Sequence, residues 1–143
     1  MIVISPCTKS DYSTLIEIEK STFQDYSSKN ELKSLVNQTS HMIWKIEKKK
    51  IIGFVSFFHV KDEIEIIKIC IIKPFQRKNY GSLLLNEIKK LKIKKIFLEV
   101  SVENISAINF YVKNGFEQIG IRKGYYVKNK SYRIDALRMC VKL

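Results

Sequence analysis

Ile69-Cys70-Ile71-Ile72-Lys73-Pro74-Phe75-Gln76-Arg77-Lys78-Asn79-Tyr80-Gly81-Ser82-Leu83-Leu84-Leu85-Asn86-Glu87-Ile88, or ICIIKPFQRKNYGSLLLNEI, runs from an apolar β-branched segment through a basic turn into a helical repeat. Pro74 lacks the N–H a central strand needs, so the ladder stops there. Leu84, Ile88 and Leu91 recur at helical spacing and predict a helix from about Tyr80 to Leu91. Between them, the backbone N–H groups around Arg77 to Gly81 and the positive end of the helix dipole would form an anion site. Arg77 and Lys78 add charge. Gly81 lets the chain approach a phosphate closely, and Asn79 is among the few residues besides glycine that tolerate positive φ. Read alone, the stretch is a weak signal for a phosphate site, because basic turns before helices are common in a lysine-rich chain.

Upstream, Ile2 to Ser5 is a short strand closed by Pro6. Thr8 caps a helix with Asp11 at the capping-box position and Leu15, Ile18 and Thr22 along one face. A shorter helix fits Ser28 to Val36. Three extended segments follow, His41 to Glu47, Ile51 to Val60 and Glu63 to Ile72, with Gly53 and Lys61-Asp62 as punctuation. Downstream come a strand at Lys95 to Val100 and a helix capped by Asn104 and stopped at Gly115. Two last strands follow, Phe116 to Arg122 and about Ser131 to Val141. The order β-α-α-β-β-β-α-β-α-β-β predicts an α/β, mixed α+β fold: a mostly antiparallel sheet of about seven strands flanked by about four helices.

The 143 residues, 45% of them apolar, suffice for one core, so a single domain spanning 1–143 is expected. The net charge of +12 suits a nucleic acid, a ribosome or a phosphorylated ligand, but the lysines are scattered along the chain, as on a solvated basic surface. Cys7, Cys70 and Cys140 are odd in number and lack metal-ligand spacing, so they read as buried free thiols in a reducing compartment. The start MIVISPCTKSDY has no basic leader, and no apolar run approaches membrane-span length, which points to the cytoplasm and away from a membrane partner.

Few residues stand out as chemical. Glu99 interrupts the apolar run IFLEV, as a solvent-facing strand end or as a carboxylate held in a cleft where loss of water makes it a better base. Tyr111 lies on the inward side of the next helix, where a tyrosine is ordinarily core. His41 and His59 lack companions for a triad or a metal, and Cys70 within ICII reads as core rather than nucleophile. The doublet Tyr125-Tyr126 after Arg122-Lys123-Gly124 lines a groove or packs on the sheet.

Together these features resemble the GNAT superfamily of acyl-CoA N-acetyltransferases, over nearly the whole chain. The opening stretch is similar to the family's strand, Q/R-x-x-G-x-G/A pyrophosphate loop and helix. IFLEVSVENISAINFYVKNGFEQIGIRKGYY carries an L-E-V, an Asn five residues after the Glu and F-Y-x-x-x-G-F. With R-K-x-Y-Y and the later D-A-L-x-M, it resembles the branch that acetylates the N-terminal alanine of a ribosomal protein. Three departures stand out. Asn79 replaces the first loop glycine and the segment from Pro74 to Gln76 is one residue shorter; the substrate-side F-P-W-S appears as Phe23-Gln24-Asp25-Tyr26-Ser27.

The resemblance implies acetyl-CoA as cosubstrate with no metal. Cys70, Ile71 and Ile72 would pair with the pantetheine arm at a splay in the sheet. Arg77, Lys78, Asn79, Tyr80, Gly81 and Ser82 would take the pyrophosphate, and Asn104 would contact the cofactor. Phe23, Tyr26, Tyr125 and Tyr126 would line the acceptor site. Glu99 would be the general base and Tyr111 the general acid. An α-amine titrates near about 8, so at neutral pH it must lose a proton before attacking a thioester. The implied acceptor is a protein N-terminus, Ala or Ser, of a ribosomal or other protein. A small amine or lysine side chain is the alternative, and a non-catalytic RNA- or ribosome-binding module is a second, with nucleic acid otherwise an indirect partner.

Overall fold

The computed structural model describes residues 1–22 and 29–143. Its elements are β1 (Val3–Pro6), α1 (Tyr12–Thr22), α2 (Lys29–Val36), β2 (His41–Lys48), β3 (Lys50–Val60), β4 (Glu63–Ile71), α3 (Tyr80–Lys89), β5 (Lys95–Ser101), α4 (Ile105–Lys113), β6 (Glu117–Asn129) and β7 (Tyr132–Lys142). The seven strands form one sheet in the order β1-β2-β3-β4-β5-β7-β6. Every pairing is antiparallel except β4 with β5, whose connection through α3 is the crossover that parallel strands require. The predicted element order and the mostly antiparallel mixed sheet are both present.

Local chemistry explains the element ends. The Thr8 amide donates to the Asp11 carboxylate (2.9 Å), and that carboxylate also accepts from Lys45 of β2 (2.9 Å), which ties the start of α1 to the sheet. Asn104 Oδ1 accepts from the Ala107 amide (3.2 Å) and caps α4, and Gly115 ends it at φ 92°. One face of the sheet packs Ile64, Ile66, Ile96, Leu98 and Met139 against Leu84, Leu85 and Ile88 of α3. The other packs Ile43, Phe54 and Cys70 against Leu15 and Ile18 of α1 and Leu32 of α2.

Two sequence expectations need correction. Gly53 is not punctuation: it lies inside β3 opposite Ile71, and the β2–β3 turn is made at Lys49, which takes φ 69°. A Cβ at Gly53 would run into the Cys70 carbonyl and lie 3.2 Å from Ile71 Cα, so glycine is there to let β4 lean over β3. The penultimate strand also does not stop at Arg122. It continues through Tyr125 and Tyr126 to Asn129, with an irregularity at Gly124 (φ 60°) whose amide donates to Asp135 Oδ1 (2.8 Å). Gly124 therefore marks a bulge in a long hairpin, and the turn uses Asn129, whose side-chain oxygen accepts from the Ser131 amide (3.0 Å).

Candidate active site

The sheet opens between β4 and β5. Their pairing runs only from Glu63–Lys95 to Ile66–Leu98. On its other side β4 carries one extra residue, Ile67, because Phe57 faces Ile66 while Ser56 faces Lys68. The bulge reverses the alternation, so Ile64 and Ile66 pack toward α3 whereas Cys70 packs toward α1. Such a bulge bends the strand and ends local pairing. Past it, β4 stays on β3 and leaves β5.

That geometry decides which backbone groups face the gap. The Ile72 amide donates to the Ile52 carbonyl (2.9 Å), so in the antiparallel ladder Ile72 and Cys70 turn their backbone groups to β3. Ile69 and Ile71 turn theirs the other way, and the Ile71 carbonyl there accepts from the Gln76 side chain (2.8 Å). Of the three residues expected to present backbone to the cofactor, only Ile71 faces the gap. Ile69 joins it, a parity that depends on the bulge and is invisible in the sequence.

The basic turn continues from this strand. Asn79 stands at φ 75°, ψ 3°, the left-handed conformation in which asparagine substitutes for glycine, and Arg77 is also left-handed at φ 60°. Asn79 precedes α3, whose first ladder bond runs from the Leu83 amide to the Asn79 carbonyl (3.0 Å). The amides of Tyr80, Gly81 and Ser82 thus lie in the first turn, which has no intrahelical acceptor for them. Gly81 has a packing reason as well: a Cβ would stand 2.9 Å from Cζ of Phe110 on α4. Lys48 reaches across from β2 and donates to the Tyr80 hydroxyl (3.2 Å). An anionic phosphate group fits here, because unpaired amides, a helix N-terminus and the exposed Arg77 and Lys78 converge on one turn.

Glu99 lies on β5 one residue beyond the last β4 pairing, on the face away from α3. Its side chain is only 10% exposed, yet the cleft is not apolar. Oε1 meets Arg122 Nη2 at 3.0 Å and Arg138 Nη1 at 3.1 Å, and the same Arg138 nitrogen lies 3.4 Å from Glu65 Oε1. Oε2 is buried without a hydrogen-bond partner among the described residues. The carboxylate is held at one oxygen and unpartnered at the other. Neither Arg138 nor Glu65 was legible as a site residue, since Arg138 is the unspecified position in D-A-L-x-M and Glu65 reads as one more alternation in EIEII. Their signal is cross-strand: Arg138 sits opposite Glu99, and Glu65 opposite Phe97.

Tyr111 of α4 is buried against Phe110 and Phe116. Burial, with a smaller effect from Tyr126, pushes its hydroxyl well above the usual phenol range, so it stays an O–H donor. The Tyr126 hydroxyl donates a long hydrogen bond to the Glu99 carbonyl (3.4 Å). Tyr125 is 47% exposed and lies under the Arg122 guanidinium (4.9 Å), so the doublet divides into one inward and one rim residue. Asn104 caps α4 through Oδ1 and keeps its side-chain amide for other partners. Phe23 and Tyr26 lie outside the described residues.

The remaining reactive groups fall elsewhere. Burial pushes the Cys7 thiol up to about 12 and Cys70 to about 11, which leaves both protonated and unreactive. His41 is buried and bonded to Ser56 (2.7 Å), a packing role. No group of three or more metal-ligating side chains occurs among the described residues, and none of their helices is long and apolar enough to cross a membrane.

Comparison with known proteins agrees with this geometry. The sequence model described as the acetyltransferase (GNAT) family matches residues 8–116. The chain is 33% identical over 143 residues to the [ribosomal protein bS18]-alanine N-acetyltransferase of Haemophilus influenzae, covering 97% of each. Among solved structures it resembles the ribosomal-protein-S18-alanine N-acetyltransferase of Escherichia coli, with a TM-score of 0.86 and 27% identity over 99% of this chain and 94% of that one. The fold is shared more widely: Arabidopsis thaliana NAA60 in complex with acetyl-CoA superposes with a TM-score of 0.83 at 16% identity over 100% of this chain and 99% of that one. With its family model matched over most of its length, this chain belongs to the acetyltransferase (GNAT) family.

Proposed function

We propose that this protein is an acetyl-CoA-dependent N-terminal acetyltransferase, a single domain over residues 1–143. It acts on an N-terminal Ala or Ser of a ribosomal or other protein in the cytoplasm. The observation that carries the reading is the gap between β4 and β5, with Glu99 Oε2 beside it unpartnered among the described residues and the α3 N-terminus at its end. The near full-length similarity to bS18-alanine N-acetyltransferases supports the choice of acceptor. The three free cysteines agree with a reducing compartment.

Ile69 and Ile71 bind the pantetheine arm along the open edge of β4. Arg77 to Ser82 hold the pyrophosphate, and Asn104 contacts the cofactor through its free amide. The bound cosubstrate supplies an acetyl thioester whose carbonyl carbon accepts the amine. Glu99 takes a proton from the amine, directly or through water, through Oε2. As the C–N bond forms and the C–S bond breaks, Tyr111 donates to the departing sulfur. Its burial suits it to a hydrogen bond there and disfavours its lasting ionisation. Tyr125 and Tyr126, with Phe23 and Tyr26, line the acceptor path.

Incubation with acetyl-CoA and a peptide panel tests this by mass spectrometry. Modification of the α-amine of Ala- and Ser-initiated peptides is expected. Acetylation confined to lysine side chains or polyamines overturns the acceptor assignment. For the loop, Asn79→Gly should leave acetyl-CoA affinity within about threefold of wild type, since Asn79 already holds the glycine-like conformation. Asn79→Val should weaken it about tenfold, because a β-branched residue loses about 1–2 kcal/mol there. Calorimetric titration separates the two.

A further inference from the structure

Four charged side chains share one sheet face beside the gap: Glu65 on β4, Glu99 on β5, Arg138 on β7 and Arg122 on β6. Their formal charges cancel. Phe97 lies beneath the Arg138 guanidinium (5.1 Å) and limits where that group can move. From the remaining elements, the Tyr126 hydroxyl of β6 faces the Glu99 carbonyl, and Tyr111 of α4 lies near Tyr126. Lys68, further along β4, is paired with Glu19 of α1 (3.2 Å).

Arg138 is the hub, because its Nη1 serves both carboxylates. Together with Arg122 it occupies Glu99 Oε1 and leaves Oε2 as the free oxygen. When Glu99 accepts a proton its negative charge is lost, and Arg138 would stand beside Arg122 without a counter-ion. Glu65 is placed to keep Arg138 paired at that moment. We propose that Arg138 and Glu65 are positioning residues for the proton transfer: Arg138 fixes Glu99 with one oxygen open to the amine, and Glu65 balances Arg138 as Glu99 is neutralised. The proposal rests on the reading of Glu99 as the base.

The two residues bear opposite charges on the same group, which gives them opposite signatures. Glu65 and Glu99 both pair with Arg138 Nη1, so a change at one is felt at the other. In Arg138→Met the pair loses a cation that favours its charged form, so the acid limb of the pH profile of kcat moves to higher pH. In Glu65→Gln the remaining carboxylate keeps both cations without its like-charged neighbour, and the acid limb moves to lower pH. Each variant should lose about tenfold in kcat with KM for acetyl-CoA unchanged. A parallel loss of activity and melting temperature with an unmoved pH profile would reduce both residues to structural supports and overturn the proposal.

A second measurement needs no acceptor. Burial holds the Glu65 carboxyl above its ordinary range, partly offset by Arg138. Carbon-13 NMR of labelled glutamate carboxyls in Arg138→Met should therefore find Glu65 titrating higher still. An unmoved Glu65 titration overturns the network whatever the enzyme acetylates. A shifted titration combined with no α-amine activity would leave the network standing and fault the acceptor assignment alone.

Discussion

Glu99→Gln is expected to lower kcat by about 10²- to 10⁴-fold, the range that general-base catalysis supplies, with acetyl-CoA affinity unchanged. Glutamine keeps the shape and one oxygen for Arg122 and Arg138, but its amide cannot take the amine's proton. The ion pairs it weakens involve arginines that are 54% and 33% exposed, so solvent screening limits the loss of stability to about 1 kcal/mol. Steady-state rates with calorimetric binding of acetyl-CoA separate the effects, and a wild-type rate in the variant removes Glu99 from the chemistry. Tyr111→Phe should lower kcat by about 10²-fold, the lower end of the same range. Its hydroxyl makes no hydrogen bond among the described residues, so the melting temperature should hardly change.

Gly53→Ala is the variant with the largest expected effect on the fold. The added methyl meets the Ile71 side chain and also the Cys70 carbonyl and Ile71 Cα, and those two backbone groups cannot swing aside. Overpacking of this kind costs about 1–3 kcal/mol, or roughly 3–10 °C in Tm for a domain of this size. The damage should extend to function. β3 would push β4 toward β5, narrowing the gap that Ile69 and Ile71 face, so acetyl-CoA affinity should fall together with Tm. Gly81→Ala makes the contrast. Its methyl would meet the tip of the Phe110 ring, which can turn away, so its cost should be smaller. Thermal melts of both variants rank the two contacts; equal losses would contradict the backbone argument.

The degree to which the site could be read in advance follows the range of the interactions involved. Asn79 before the first turn of α3, Asn104 at the start of α4 and Gly115 at its end were legible because caps and left-handed stops are set by residues within one turn of each other. Gly53 misled because a strand glycine looks the same whether it breaks the chain or admits a neighbouring strand. Arg122-Lys123-Gly124 misled in the same way, since the bulge that keeps β6 extended depends on Asp135 across the hairpin.

The sequence by itself determined the order of the elements, the basic turn ahead of α3 and the solitary carboxylate in IFLEV, because these rest on periodicity, turn chemistry and local polarity. Tertiary structure alone decided that one extra residue, Ile67, bends β4 off β5, and hence that Ile69 and Ile71 rather than Cys70 and Ile72 face the gap. It also decided that Glu99 is gripped by two arginines instead of resting in an apolar cleft. Both outcomes depend on register between strands far apart in the chain. A shift of one residue turns every side chain and amide to the opposite side, and only the assembled sheet fixes that register.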